Sequence, residues 1–478
     1  MFGRLLESFL LNITTTLYKE VLFMNQEATF MQKLFPLLTN KDVDKKTEMM
    51  AGLTTFLTMA YIIAVNPSIL SETGMSAGAL VTSTCLGAAI GCFIMGLIAD
   101  MPFALASGMG LNAYFAYTVV LGMGVSWEVA LTAVFVEGII FIILSLCKVR
   151  EAVVNAIPKN LKLAVSGGIG LFIAFIGLVN CGLVVNNDST LVSMGHFTPA
   201  VIVTCVGLVI TAVLSKKNIR GSILIGIVVS SLLAWGYALM NPEAAANLGI
   251  YLPSGVFKFE SPAPIVNKID FGYITHPDSM FQFITVLCTF LFVDFFDTVG
   301  TVVGVASKAN MVDEDGKVKN VGRALLADAF ATTIGSWLGV STVTTYVESS
   351  TGVLEGGKTG YTAITVGVLF LIAMFFSPIF IAVPSCATAP ALIYVGYLML
   401  SAVKDIDFGD ITEGVPAFMA IGGMALTYSI GDGLTLGVLS YVFINVLYNL
   451  IAPKEDKKHV SVVMIILAIL FILKLWFM

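Results

Sequence analysis

The sequence predicts an all-α polytopic membrane protein whose fourteen transmembrane segments form two inverted sets of seven. Composition is the first reason. Of 478 residues, 57% are hydrophobic and 12% charged, with a mean hydropathy of +0.94. Soluble domains carry about 25% charged residues, so a water-facing surface cannot be built from this chain. The second reason is the spacing of apolar runs, and the third is where the charges sit between them.

Apolar runs bounded by charges or by Gly/Pro clusters fall at 48–66, 77–99, 103–121, 127–147, 160–182, 198–215 and 220–240. A loop rich in proline and polar residues, 241–278, separates these from 279–304, 321–338, 340–354, 359–383, 386–404, 412–428 and 433–452. About 20 residues cross the roughly 30 Å hydrocarbon layer, so fourteen spans use about 280 residues and leave short loops. Basic residues then test the count. If Lys41, Lys45 and Lys46 are cytoplasmic, the loops on that same side contain sixteen further Lys and Arg, among them Lys148, Lys216, Arg220, Lys317, Lys358, Lys404 and Lys458; the opposite loops contain Lys258 and Lys268. That bias fits the positive-inside rule. It places the N-terminus in the cytoplasm. An odd number of spans per half turns the halves upside down relative to each other, the layout of many secondary transporters.

The organisation that follows is an N-terminal cytoplasmic segment, 1–46; a first repeat, 47–240; an extracellular loop, 241–278; a second repeat, 279–452; and a C-terminal apolar helix, 453–478. Within the first segment, Phe2, Leu5, Leu6, Phe9, Leu10 and Ile13 recur at helical spacing, interrupted by Glu7. No small-residue cleavage site follows, so a signal peptide is disfavoured. An interfacial amphipathic helix and a true start at Met24 both fit. The run 459–477 reads either as a fifteenth span or as a surface helix.

The net charge of −6 says little, since in a membrane protein the placement of charges matters more than their sum; no basic stripe points to nucleic acid as a partner. None of the seven cysteines forms a Cys-x-x-Cys pair, so no metal or disulfide framework is expected. His196, His276 and His459 fall in loops or at a span edge, which removes an intramembrane histidine as proton carrier.

Two spans are short and interrupted at matching positions of the halves. These are Ala106-Ser-Gly-Met-Gly-Leu-Asn-Ala-Tyr114 in the third and Ser341-Thr-Val-Thr-Thr-Tyr-Val-Glu-Ser-Ser-Thr-Gly352 in the tenth. Such pairs point to a transporter's binding site. The β-branched run from Ser341 to Val347 favours extended backbone, and Ser349, Ser350 and Thr351 favour a helix start. A strand-to-helix break is therefore expected in the tenth span. At membrane depth it is tolerated only where protein covers it or where it lines a cavity. Glycines such as Gly167, Gly168 and Gly170 read instead as close helix packing.

Ionisable groups inside apolar spans are costly and mark pathways. The candidates are Glu137, Asp294, Asp297, Asp328 and Glu348. Asp294 and Asp297, in Leu291-Phe-Val-Asp-Phe-Phe-Asp-Thr-Val-Gly-Thr301, share one helix face. Glu348 offers an acceptor beside the free N–H groups of the break, a pattern suited to a flat heterocycle with alternating donors and acceptors. Asn112, on the matching segment, both donates and accepts. Tyr346, Tyr114 and Phe115 are able to supply a stacking face. Asp328, five residues from Arg323, fits a bundle strut, and Glu137 fits a scaffold hydrogen bond.

Four stretches resemble AzgA-type purine permeases of the nucleobase–cation symporter family 2. They are Thr47-Glu-Met-Met-Ala-Gly-Leu-Thr-Thr-Phe-Leu-Thr-Met-Ala-Tyr-Ile-Ile-Ala-Val-Asn-Pro67, Ala106 to Ala116, Asp297-Thr-Val-Gly-Thr301 and Thr345-Tyr-Val-Glu-Ser-Ser-Thr-Gly352. The resemblance runs from about residue 45 to residue 452. It implies a seven-plus-seven inverted repeat, its third and tenth spans part strand and part helix, divided into a core (spans 1–4 and 8–11) and a gate (spans 5–7 and 12–14, with any homodimer contact). It further implies proton symport of adenine, guanine or hypoxanthine across the plasma membrane, with no cofactor beyond the coupling ion. The candidate substrate-binding set is Asn112, Asp294, Asp297, Tyr346, Val347 and Glu348; the proton-coupling set is Asp294, Asp297 and Glu348. In related uracil and xanthine carriers a polar partner follows the eighth-span acid by four residues; here Thr301 holds that place and cannot titrate.

Two other classes stand against this expectation. An anion carrier of the same fold, for sulfate or bicarbonate, would place positive charge or bare helix N-termini at the site, and the acids there argue against an anion. An intramembrane aspartyl protease needs its two aspartates on separate helices, whereas Asp294 and Asp297 share one.

Overall fold

A computed structural model describes residues 37, 43–147, 157–272, 277–308, 321–453 and 456–477, the side chains at 277–279, 281, 296, 297, 299, 300, 303, 304, 306–308, 473, 474 and 477 excepted. The N-terminal amphipathic pattern at residues 1–23 lies outside the described residues.

The first half contains α1 (Lys45–Met59), α2 (Ile62–Leu70), α3 (Ala77–Ile94), β1 (Leu105–Ser107), α4 (Met109–Ala113), α5 (Trp127–Leu146), α6 (Lys159–Asn180), the strands β2 (Val184–Asn187) and β3 (Leu191–Met194), α7 (Pro199–Lys216), α8 (Ser222–Met240) and the short α9 (Pro242–Asn247). The second half contains α10 (Pro277–Lys308), α11 (Val321–Trp337), β4 (Val343–Thr345), α12 (Ser349–Leu354), α13 (Gly360–Ala373), α14 (Ser377–Ile381), α15 (Ser385–Leu400), α16 (Ile411–Leu426), α17 (Ile430–Ile451) and α18 (Val462–Phe477). Each of the fourteen expected segments has its counterpart, and the third and tenth are part strand, part helix.

Side chains set several helix starts. Asp44 Oδ1 accepts from the Lys46 amide, and the Ser126, Thr198 and Ser429 hydroxyls accept from amides in the first turns of α5, α7 and α17, which satisfies donors that a helix leaves unpaired. The structure differs from the sequence reading in four places. The first span turns at Ala60 and Tyr61, where the Ile63 amide reaches back three residues to the Ala60 carbonyl. A π-helical stretch, Tyr114–Gly122, continues α4. The eleventh span stops at Ala373 and resumes as α14 with Pro378 in its first turn. An antiparallel hairpin, β2–β3, occupies the loop before α7.

Packing sorts the helices into two groups. In one, α3 contacts α2, α11 and α13, while α11 contacts α5 and α13 contacts α1. In the other, α6 contacts α15 and α16, α7 and α8 contact α15, and α16 contacts α17. Between the groups, α6 meets α4 and α10, α8 meets α1, and α15 meets α2. Glycines allow the close approaches: a Cβ on Gly170 would lie 2.7 Å from the Gly396 carbonyl oxygen, and one on Gly168 would lie 2.6 Å from Met424 Sδ.

At the centre, β1 and β4 pair antiparallel, Leu105 with Thr345, Ala106 with Thr344 and Ser107 with Val343. The ladder continues at both ends, from the Tyr346 amide to the Ala104 carbonyl and from the Gly108 amide to the Thr342 carbonyl. Its outer edges are also supplied. Cys92 of α3 sits 3.2 Å from the Leu105 amide and 3.4 Å from the Leu105 carbonyl. Asp328 of α11 accepts from the Thr345 amide at 3.1 Å, and Thr332, one turn on, donates to the Val343 carbonyl at 3.0 Å. A two-stranded ladder at membrane depth needs these partners because hydrocarbon offers none.

The C-terminal helix α18 packs on α17 and buries Met464, Leu467, Ala468 and Phe471, with Phe471 edge-on to Phe292 of α10 at 5.5 Å. Lys458, just before it, donates to Asp410 Oδ2 at 2.6 Å; that bond holds the Asp410 carboxyl below its ordinary range. Sixteen residues at 1.5 Å each reach about 24 Å, short of the roughly 30 Å layer.

A Cβ on Gly360 would lie 2.0 Å from the Gly96 carbonyl oxygen, whereas one on Gly236 meets nothing within 4 Å. Gly360→Ala is expected to lower the melting temperature of the detergent-purified protein, at a cost of about 1–3 kcal/mol from overpacking. Gly236→Ala, in the interior of α8, is expected to leave it unchanged or raise it slightly.

Candidate functional site

A cavity of about 940 Å³ opens between the two packing groups, at the upper end of the roughly 300–1,000 Å³ typical of small-molecule sites. One wall carries Gly108, Met109 and Gly110 at the start of α4, and Thr344 through Glu348 at the end of β4. The facing wall is α6, through Lys162, Ser166, Ile169 and Ile173, with Tyr394 and Val395 of α15. Phe295 and Thr301 of α10 close a third side. Most of the exposed lining is apolar, with hydroxyls, phenols and a few charged side chains set among it.

Glu348 is the principal one. It stands between β4 and α12, half-buried, on the cavity wall. Tyr61, fully buried at the turn of the first span, donates its phenol to Glu348 Oε1 at 2.6 Å. Among the described residues no other residue donates to Oε2, the Glu348 amide turns onto its own carboxylate, and the Val347 amide makes no hydrogen bond. The break therefore presents one carboxylate oxygen and one N–H donor along the same stretch of wall. The backing is rigid: Thr58 and Thr351 hydroxyls meet at 3.1 Å, and a Cβ on Gly352 would fall 2.5 Å from the Ala51 carbonyl oxygen, so α12 lies directly on α1.

The other sequence-derived candidates take different places. Tyr346 and Val347 line the cavity beside Glu348, and the Tyr346 hydroxyl donates to the Ser107 carbonyl, tying the two strands. Asn112 is fully buried behind the wall, its Oδ1 accepting from the Ser107 hydroxyl at 2.9 Å; its amide nitrogen has no acceptor among the described residues. Asp294 is also fully buried and off the cavity wall. Its Oδ1 accepts from Thr298 Oγ1 at 3.3 Å, and the same hydroxyl lies 3.0 Å from Asp328 Oδ2 and 3.0 Å from Thr344 Oγ1. The backbone of Asp297 continues α10, and its side chain lies outside the described residues. Tyr114 and Phe115 do not face the cavity; Tyr114 packs edge-on to Phe290 at 5.0 Å and Phe115 lies 6.4 Å from it. Asp328 is a strut, as its sequence position suggests, but what it supports is the strand β4.

Sequence reasoning passed over Tyr61. The signal was present: Thr54, Thr58 and Tyr61 recur at intervals of four and three along an apolar span, and all three line the cavity. A polar stripe at helical spacing in such a run faces the protein interior.

The mouth carries Lys162, Arg220, Glu355, Lys404 and Asp405, which lie in or beside the basic loops. Arg220, after α7, pairs with Glu355, after α12, so an ion pair joins one packing group to the other across the opening.

The profile of the permease family matches residues 46–435. This chain belongs to that family. The guanine/hypoxanthine permease PbuG of Bacillus subtilis is 43% identical to it over 439 residues, 90% of this chain and 96% of PbuG. The adenine permease AdeP of Escherichia coli is 40% identical over 433 residues, 90% of this chain and 93% of AdeP. Among solved structures, the transmembrane domain of the cyanobacterial bicarbonate transporter BicA superposes with a TM-score of 0.60 at 13% identity, covering 82% of this chain and 97% of that domain. The permease is thus a multi-pass membrane transporter, not an enzyme, and shares its inverted-repeat fold with a carrier of unrelated sequence.

Asp328 is the residue on which the geometry of the break depends. Asp328→Ala is expected to leave the Thr345 amide without an acceptor, at about 1–3 kcal/mol for that buried group, while the Thr298 hydroxyl keeps Asp294 and Thr344. A fall in melting temperature of the purified protein, with a smaller fall for Asp328→Asn, is the expected result.

Proposed function

We propose that this permease imports purine nucleobases (adenine, guanine or hypoxanthine) across the plasma membrane together with a proton, with its N-terminus in the cytoplasm. The observation that carries this reading is the Glu348 carboxylate on the cavity wall, beside the free Val347 amide of the strand–helix break. A purine has ring N–H groups for Oε2 and a ring nitrogen or an exocyclic oxygen for the Val347 amide. Its flat apolar faces suit a slot walled by Tyr346, Phe295, Ile169 and Ile173. The names of relatives alike over nine-tenths of the chain, an adenine and a guanine/hypoxanthine permease, agree with it.

For the proton, Glu348, Asp294 and Asp297 are the proposed carriers. Asp294 shares a hydroxyl with Asp328, so a proton taken up there would be felt at β4 through Thr298 and Thr344. Protonation of the aspartate pair then favours binding, and the group holding β1, β4 and α10 moves against the group holding α6 and α15. The rival reading, an anion carrier on the same fold, draws on the likeness to BicA. It calls for positive charge or bare helix N-termini beside the substrate; helix starts do face the cavity, and the carboxylate of Glu348 at the break is what argues against an anion there.

Uptake of radiolabelled adenine, guanine, hypoxanthine and uracil in cells lacking their own carriers, with and without a protonophore, tests the proposal. Protonophore-sensitive uptake of a purine is expected. Uptake of bicarbonate or sulfate and of no base would overturn it. Glu348→Gln is expected to weaken purine binding by about tenfold or more, the range of a hydrogen bond to a charged group. Asp297→Asn is expected to abolish proton-driven accumulation; full accumulation by that variant would remove the aspartate pair from the coupling step.

A further inference from the structure

The Glu348 carboxylate is not presented symmetrically. Oε1 is held at 2.6 Å by the Tyr61 phenol, and Tyr61 is fully buried, at the turn that joins α1 to α2. The contact is built in from both sides. Thr58, one turn before Tyr61, meets Thr351, one turn after Glu348, at 3.1 Å, and the Thr351 amide and hydroxyl both donate to the Glu348 carbonyl, at 2.9 and 2.7 Å. The backbone beneath the carboxylate is therefore fixed, and the phenol fixes its tip.

We propose that Tyr61 is a positioning residue that sets base selectivity: by holding Oε1 toward its own phenol it fixes the rotation of the Glu348 carboxylate, so that Oε2 meets the substrate and the two oxygens are not offered side by side. The inference rests on the purine reading of the site. Its chemical consequence separates two bases of nearly equal size. Guanine carries the N1–H and the 2-amino group side by side, a donor pair that matches both oxygens of a carboxylate free to turn edge-on to it. Hypoxanthine carries the N1–H alone on that edge. With the carboxylate held by Tyr61, the second guanine donor has no carboxylate oxygen in line with it, and the site does not reward it. In Tyr61→Phe the carboxylate is free to turn and accept both donors from guanine, and hypoxanthine gains nothing.

The test is competition by guanine and hypoxanthine against radiolabelled hypoxanthine on the purified permease, for wild type and Tyr61→Phe, with the melting transition recorded on the same samples. The ratio of guanine to hypoxanthine affinity is expected to rise about tenfold or more in Tyr61→Phe, the effect of one added hydrogen bond to a charged group. If Tyr61→Phe gives no melting transition, Tyr61→Met, which also lacks the donor and fills the space flexibly, carries the same expectation. An unchanged ratio, with or without a uniform loss of affinity, would overturn the inference and leave Tyr61 a packing residue. Wild-type protein that binds neither base would overturn the inference, and if it binds no adenine either, the purine reading falls with it.

Discussion

The structure depends on one awkward requirement: two extended strands placed where no water can reach them. A ladder of two strands pairs only its inner edges. Each outer edge still presents amides and carbonyls that cost several kcal/mol if left bare in hydrocarbon. The chain meets this with a helix behind each strand. Cys92 on α3 serves β1, and Asp328 with Thr332 on α11 serves β4. These helices must come close, which explains why a Cβ on Gly91 would fall 3.1 Å from Leu105 Cβ and one on Gly335 only 2.4 Å from Val343 Cγ2. The strands then carry the start of α4 and of α12 into the cavity, and the site follows from that placement.

Much of this was legible in the sequence, and the reason differs from element to element. The spans announce themselves because hydrocarbon imposes a length and a composition. The break in the tenth span shows as a β-branched run that ends in Ser349, Ser350 and Thr351, and α12 begins at Ser349. Partners far apart along the chain were not legible. Nothing near Cys92 marks it as the guardian of Leu105, and Asp328 looked outward to Arg323 when its partner is Thr345. The hairpin β2–β3 lies in a polar loop whose alternation is too weak to read. Of the site, Glu348, Tyr346 and Val347 fall on the cavity wall. Asn112 and Asp294 lie behind it, a distinction that depends on which way a helix is turned and so cannot be taken from spacing alone.

The buried polar groups form two layers rather than one cluster. The first touches the cavity and consists of Glu348 with its phenol partner and the Val347 amide beside it. The second is the chain of hydroxyls and carboxylates that runs from Asp294 through Thr298 to Asp328 and Thr344. Neighbouring bonds in such a chain polarise one another in a medium of low dielectric. The two layers meet at β4, whose residues contribute to both. A change of charge on α10 thus has a short mechanical route to the wall, through bonds to a strand rather than through space.

The β1–β4 ladder also bears on how the protein is made. The strands belong to opposite halves, so when the third segment leaves the ribosome its inner edge has no partner, and none exists until the tenth has been synthesised. Between those moments the nascent chain holds an unpaired strand that the bilayer will not solvate. Insertion of the early helices is therefore not the end of assembly, and the first half has to wait in protein or interfacial surroundings for the second. The two halves of the gene product are consequently not separable folding units, however clearly the repeat divides them.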